Sequence, residues 1–197
     1  MTATASADGS LEDRLVEAML DCISRWGLAK TTADDIARAA GVSRATLYRA
    51  FPGGKDVALE ALVRREVARF FERITPKLEA ASTLEDLLVV GAVDAAAFLH
   101  GHAALGYVLS HEPERVLPGF VAGRLQGGLA VATAFVAGHL DRFVPDATHA
   151  AEGAELVVRL LLSYTIDPSP MVDLTDPSSV RRFVRAFVLP VLTTKEP

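Results

Sequence analysis

The sequence predicts an all-α fold, and three observations carry that prediction. Half of the 197 residues are hydrophobic but only 7% are aromatic. Ala, Leu and Val dominate, which suits packed helices better than a sheet. Apolar residues recur at helical spacing through most of the chain. The periodic stretches are divided by helix-ending signals: Gly27, Gly41, Pro52-Gly53-Gly54, Gly101 and Val144-Pro145-Asp146. A chain of this length holds one large domain, or a small domain and a medium one.

Residues 1–10 are small and polar. They lack the charged and apolar regions of a signal peptide and read as a flexible arm. Ser10 is the expected cap of a first helix over 11–26. Leu11, Leu15, Ala18, Met19, Cys22, Ile23 and Trp26 form its apolar stripe, and Gly27 ends it. Cys22 reads as a core residue, because a reactive thiol needs a basic neighbourhood. It is the one cysteine of the chain, which excludes an intrachain disulfide and a Cys-based zinc site and points to a reducing, cytoplasmic compartment.

Residues 32–51 read as two short helices joined by a tight turn. Thr32 is an N-cap, and Asp35 stands three residues on, the spacing of a capping box. Ile36, Ala37 and Ala40 give the first helix an apolar face. Gly41 supplies the left-handed residue that ends a helix, Val42 fills the turn, and Ser43 caps the second helix. Leu47 and Phe51 lie on the inner side of that helix. Arg44, Ala45, Thr46, Tyr48 and Arg49 are left on the other. A helix entering a DNA major groove needs long donors for base edges, hydroxyls for phosphates and small residues where backbones approach. Arg44 and Arg49 are the first kind, Thr46 and Tyr48 the second, Ala45 the third. From Ile36 to Lys55 there are four basic residues and no acid, in a chain of net charge -5. This is the pattern of a helix-turn-helix. Lys30, Thr31 and Thr32 lead into it, and free N–H groups there with the two threonine hydroxyls make an expected phosphate clamp.

The run T-x-x-D-I-A-x-x-A-G-V-S-x-x-T-L-Y-R-x-F-P-G-G-K resembles the DNA-binding signature of the TetR family of one-component regulators. The match covers 11–62, about a quarter of the chain. Ala50 departs from the family, whose members often carry an aromatic or His there, so it is not assigned a contact. The resemblance implies a three-helix helix-turn-helix domain over 11–54 and a larger helical ligand-binding and dimerisation domain over 55–197. It also implies a homodimer bound to a palindromic operator in double-stranded DNA, most often as a repressor released by a small, apolar effector. By the same resemblance Lys55 contacts a phosphate from the start of the connecting helix. The DNA-binding set is therefore Lys30, Thr31, Thr32, Ser43, Arg44, Ala45, Thr46, Tyr48, Arg49 and Lys55.

The long helix expected over 55–78 is apolar around much of its girth, as a mechanical link between domains would be. Thr83 caps a helix over 84–100, broken at Gly101 and continued over 102–110. Residues 112–119 are turn-rich. A long apolar helix over 120–143 is weakened by Gly123, Gly127, Gly128 and Gly138, which close approach or room for a ligand would explain. His102, Tyr107, His111, Phe120, Arg124 and Phe135 are the candidate effector-pocket residues, although core packing accounts for such residues equally well. The last two helices, 147–165 and 178–192, read as a two-fold four-helix interface. Leu156, Leu160, Tyr164, Val180, Phe183, Val184, Phe187 and Val191 are its expected residues. Arg181, Arg182 and Arg185 should face away, and Pro190 should kink or end the last helix. Packing within one subunit is the alternative.

No constellation for chemistry competes with this reading. Gly41-Val42-Ser43-Arg44-Ala45 falls one glycine short of a nucleophile elbow and follows no strand. Gly54-Lys55-Asp56 lacks the spacing of a phosphate-binding loop. His100 and His102 point to different sides of a helix. No catalytic residue, metal site or cofactor is expected. The longest apolar run, 129–137, is too short to cross a membrane. Up to Lys55 there are seven basic and seven acidic residues, and thirteen and eighteen thereafter. A non-specific nucleic-acid coat is disfavoured by that balance. The remaining alternative is a helical binding protein or enzyme with a non-functional helix-turn-helix.

Overall fold

The computed structural model describes residues 10–112 and 126–193, and every element among them is helical. In order these are α1 (Leu11–Lys30), α2 (Ala33–Ala39), α3 (Arg44–Ala50), α4 (Lys55–Glu79), α5 (Leu84–Gly101), α6 (Ala103–His111), α7 (Gln126–Leu140), α8 (Ala147–Ile166) and α9 (Pro177–Phe183). A π-helical turn (Val184–Val188) then leads into α10 (Leu189–Thr193). No helix among the described residues is long and apolar enough to cross a membrane. Residues 113–119 of the turn-rich segment, Phe120, Arg124 and the expected start of the helix over 120–143 lie outside the described residues.

The chain forms two compact units. The first combines Met1–Arg69 with Ala103–Glu112, and the second combines Phe70–His102 with Pro113–Pro197. The packing boundary therefore falls inside α4 and not at the expected Gly54. In addition α6 joins the first unit, where it packs on α1.

In the first unit α1 is stapled at its start by a capping box between Ser10 and Asp13. Leu15, Val16, Met19, Cys22 and Ile23 are buried, whereas Leu11 and Trp26, expected on the same stripe, are exposed. Gly27 does not end the helix but kinks it, at φ 82°, and α1 resumes to Lys30. A Cβ at Gly27 would press on Glu112 Oε1 and the Tyr107 ring, and the positive φ is one that residues other than glycine rarely adopt. Burial pushes the Cys22 thiol up from its ordinary pKa, which keeps it protonated.

The second unit is built around α5. Leu87, Leu88, Val89, Leu140, Ala150, Ala154, Val180, Val184, Val188 and Leu192 share one core. Two expectations for the last helices are corrected here. Val180 and Val184 are 1% and 4% exposed and belong to this core, not to an outer face. Arg181 and Arg185 do not face away: Arg185 Nε lies 2.7 Å from Glu85, and Arg181 lies 2.9 Å from Glu85 and 3.0 Å from Asp86 on α5. The reason is the width of the stripe. A row spaced by threes and fours wraps past one helix face, and the π-turn before Pro190 divides it. Proline has no N–H to give the preceding turn and its ring presses on the carbonyl four residues back, so the chain widens one turn and continues.

Candidate nucleic-acid interface

The local sequence builds α2 and α3 by capping. Thr32 accepts from the Asp35 amide, and Asp35 accepts in return from the Thr32 amide at 3.1 Å. Those hydrogen bonds hold the Asp35 carboxyl below its usual range. The Ser43 hydroxyl accepts from the Thr46 amide at 3.1 Å to start α3. Between the helices Gly41 turns at φ 68°, and the Val42 amide donates to the Ala37 carbonyl at 2.9 Å. Arg14 reaches from α1 to donate to the Ala40 carbonyl at 2.9 Å, closing the C-terminus of α2. With Ile36 and Leu47 at 0% exposure and Phe51 at 4%, the inner faces of α2 and α3 are sealed.

The outer face of α3 is what this packing leaves to solvent. Arg44, Ala45, Tyr48 and Arg49 are exposed and Thr46 half-buried. Arg49 donates to the Thr46 hydroxyl at 3.1 Å, and Thr46 shares a hydrogen bond with the Ser43 hydroxyl at 2.9 Å. The Arg44 guanidinium stands over the Tyr48 ring at 5.5 Å and pairs with Asp34 at 3.2 Å. The side-chain hydrogen bond with Tyr48 and the Asp34 charge together raise its pKa further. A row of guanidinium groups and hydroxyls on one helix can hydrogen-bond to base edges and phosphates.

The approach to α2 differs from expectation at Thr31. Its side chain is 1% exposed and its hydroxyl donates to the Gly27 carbonyl at 2.7 Å, so it braces the kink and does not present a donor. Lys30 and Thr32 are exposed. Lys55 is half-buried and donates to the Leu28 carbonyl. The amide of that same peptide, the Ala29 N–H, donates to both oxygens of the buried Glu112 carboxylate, at 2.9 and 3.2 Å. A cation and an anion thus bracket one peptide bond just before the exposed Lys30.

Sequence reasoning missed Arg14, Asp34 and Glu112. Asp34 had a visible signal, an acid beside the capping Asp35, but its partner lies ten residues on. Glu112 lies eighty-three residues from its partner, a separation no local pattern spans.

The candidate effector residues divide. Tyr107 and His111 stack on each other at 4.5 Å in the first unit. In the second, Phe135 stacks on Phe71 at 3.8 Å and His102 meets the Phe98 ring edge-on at 5.6 Å. Of the interface candidates, Leu156, Phe187 and Val191 are exposed, and Leu160, Tyr164 and Phe183 are half-buried.

Residues 15–62 match the family model described as bacterial regulatory proteins, tetR family. The N-terminal segment of the chain is therefore a helix-turn-helix domain of the tetR type found in bacterial transcriptional regulators. The chain is 28% identical over 184 residues to an uncharacterized HTH-type transcriptional regulator of Mycobacterium tuberculosis, covering 92% of this chain and 85% of that one. Among solved structures it shares its fold with the TetR family repressor AlkX of Dietzia sp., implicated in biodegradation of n-alkanes. That likeness has a TM-score of 0.67 at 22% identity, over 95% of this chain and 100% of the other. The fatty acid degradation regulator FadR of Bacillus halodurans has the same fold, with a TM-score of 0.59 at 20% identity over 91% and 96% of the two chains. Both likenesses concern the fold, an N-terminal helix-turn-helix domain followed by a helical C-terminal domain.

Proposed function

We propose that this protein is a cytoplasmic repressor of the TetR family, not an enzyme, that binds a palindromic operator as a homodimer. The observation that carries the reading is the outer face of α3, where Arg44 and Arg49 project beside Thr46 and Tyr48 from a sealed inner face. Arg44 and Arg49 read base edges. Ser43, Thr46 and Tyr48, with Lys30, Thr32 and Lys55 beside them, hold phosphates, and Ala45 lets the backbone approach. Two copies enter successive major grooves. The exposed apolar residues Leu156, Phe187 and Val191, with Leu160, Tyr164 and Phe183 behind them, join the two subunits. A small apolar effector bound in the C-terminal part releases DNA by binding more tightly to the form that does not fit the operator. The aromatic packing of Phe70, Phe71, Phe98 and Phe135 supports an apolar ligand class. So do the part of AlkX in biodegradation of n-alkanes and that of FadR in fatty acid degradation.

The test is binding of the purified protein to its own upstream DNA and to scrambled DNA, at two salt concentrations. Protection of one inverted repeat with roughly a thousandfold preference is expected. Arg49→Ala should lower affinity for the repeat by roughly tenfold and leave scrambled DNA almost untouched. Lys55→Ala should weaken both and flatten the salt dependence. Equal, weak and steeply salt-dependent binding of both DNAs by the wild-type protein would remove the reading.

A further inference from the structure

The geometry points to Asp34 as a positioning residue that sets the sequence discrimination of Arg44. The inference rests on the reading of Arg44 as a base-contacting side chain. Three observations support it.

First, Asp34 sits in the first turn of α2 but outside its capping box. The capping box of α2 is made by Thr32 and Asp35 alone. The Asp34 carboxylate turns instead to Arg44 Nη1, 3.2 Å away across the turn. Second, Arg44 is held from two sides, by Asp34 and by the Tyr48 ring at 5.5 Å. A free arginine samples many rotamers, and a guanidinium fixed by a carboxylate gives up fewer of them on meeting a guanine edge. Third, both partners remain about half exposed, 62% for Arg44 and 51% for Asp34, so the pair is accessible from solvent. An acid beside a phosphate-binding surface weakens attachment to any duplex. Asp34 therefore acts in two ways. Its charge lowers affinity for every duplex alike, and its hold on Arg44 orients the side chain that distinguishes one sequence from another.

The experiment uses the full-length protein and two duplexes: one selected by the wild-type protein from a randomised pool, and one scrambled from it. Asp34→Asn should tighten binding to the scrambled duplex. It should lower the ratio of selected to scrambled affinity by roughly two- to fivefold, the range an exposed ion pair commands. Asp34→Glu, whose carboxylate still reaches Arg44, should retain the ratio. In an Arg44→Ala background, Asp34→Asn should leave the ratio unchanged. Equal tightening on both duplexes would reduce Asp34 to a simple charge and overturn the inference. So would an undiminished loss of ratio in the Arg44→Ala background, which would make Asp34 a reader in its own right. Failure of the wild-type protein to enrich any duplex would remove the reading of Arg44, and the role of Asp34 with it. A wild-type protein that enriches a duplex but loses no ratio on Asp34→Asn leaves Arg44 as reader and overturns only the inference.

Discussion

The outer face of α3 and the patch around Phe187 on α9 to α10 both lie over a sealed interior, but the residues that set them apart are opposite in kind. On α3 they are guanidinium groups and hydroxyls tied to one another and to Asp34. On the last helices, beside the exposed Arg182 and Arg185, they are Phe187, 66% exposed, and Val191, 47% exposed, with Phe187 against Phe183 and Phe183 against Tyr164. The inner residues of the two surfaces, Leu47 and Val180, are equally buried and say only where each helix packs. What each surface can bind is written on the outside. Hydrogen-bonding groups that stay hydrated suit the polar, charged edges of a duplex. Exposed aromatic and aliphatic area suits another protein surface.

The comparison is broken most directly at Phe187. Phe187→Glu should leave the helical signal intact and convert the protein to a monomer in sedimentation. Operator affinity should fall by about a hundredfold or more, because two half-sites no longer bind together. A dimer that survives this change would take the apolar face out of the assembly.

The next effect concerns the brace just after the kink of α1. Glu112→Ala leaves the Ala29 amide without its buried acceptor and should cost about 1–3 kcal/mol in denaturant unfolding. Unchanged stability would mean that water replaces the carboxylate at no cost.

The smallest effect is on pH. The Thr32 hydrogen bonds lower the pKa of Asp35, and the Arg185 hydrogen bond lowers that of Glu85. A carboxyl whose folded value lies below its unfolded value stabilises fully above the unfolded value and loses that contribution as pH falls through the folded one. The Glu85 pair should therefore weaken as the solution is acidified below an ordinary glutamate value of 4.5, and the Asp35 cap below an ordinary aspartate value of 3.8. Arg185→Gln should remove part of this acid sensitivity from thermal melts, by only a small amount because the pair is exposed. Identical acid profiles for variant and wild type would assign the sensitivity elsewhere.

The reading face was legible in detail because its determinants are local. Thr32, Asp35, Gly41 and Ser43 act on residues within five positions of themselves, and Leu47 and Phe51 follow from one helical period. Thr31 was misread for the opposite reason: in the sequence it is a hydroxyl beside a cap, but the kink at Gly27 turns it inward. The last helices were legible as apolar but not as two-faced. Val180 and Phe187 differ in destiny only because α5 lies on one side of them.

The order of helices, their caps, the sealed and open sides of α3 and the family resemblance were determined by the sequence itself. Each depends on interactions within a few residues, and those are printed in the order of the chain. The seating of α6 on α1, the bracketing of the Leu28–Ala29 peptide by Lys55 and Glu112, and the pairing of Arg181 and Arg185 with α5 were decided by the tertiary structure. Those contacts join residues tens of positions apart. Their free energy appears only when packing has already brought the backbone segments together, and no local periodicity encodes which segments meet.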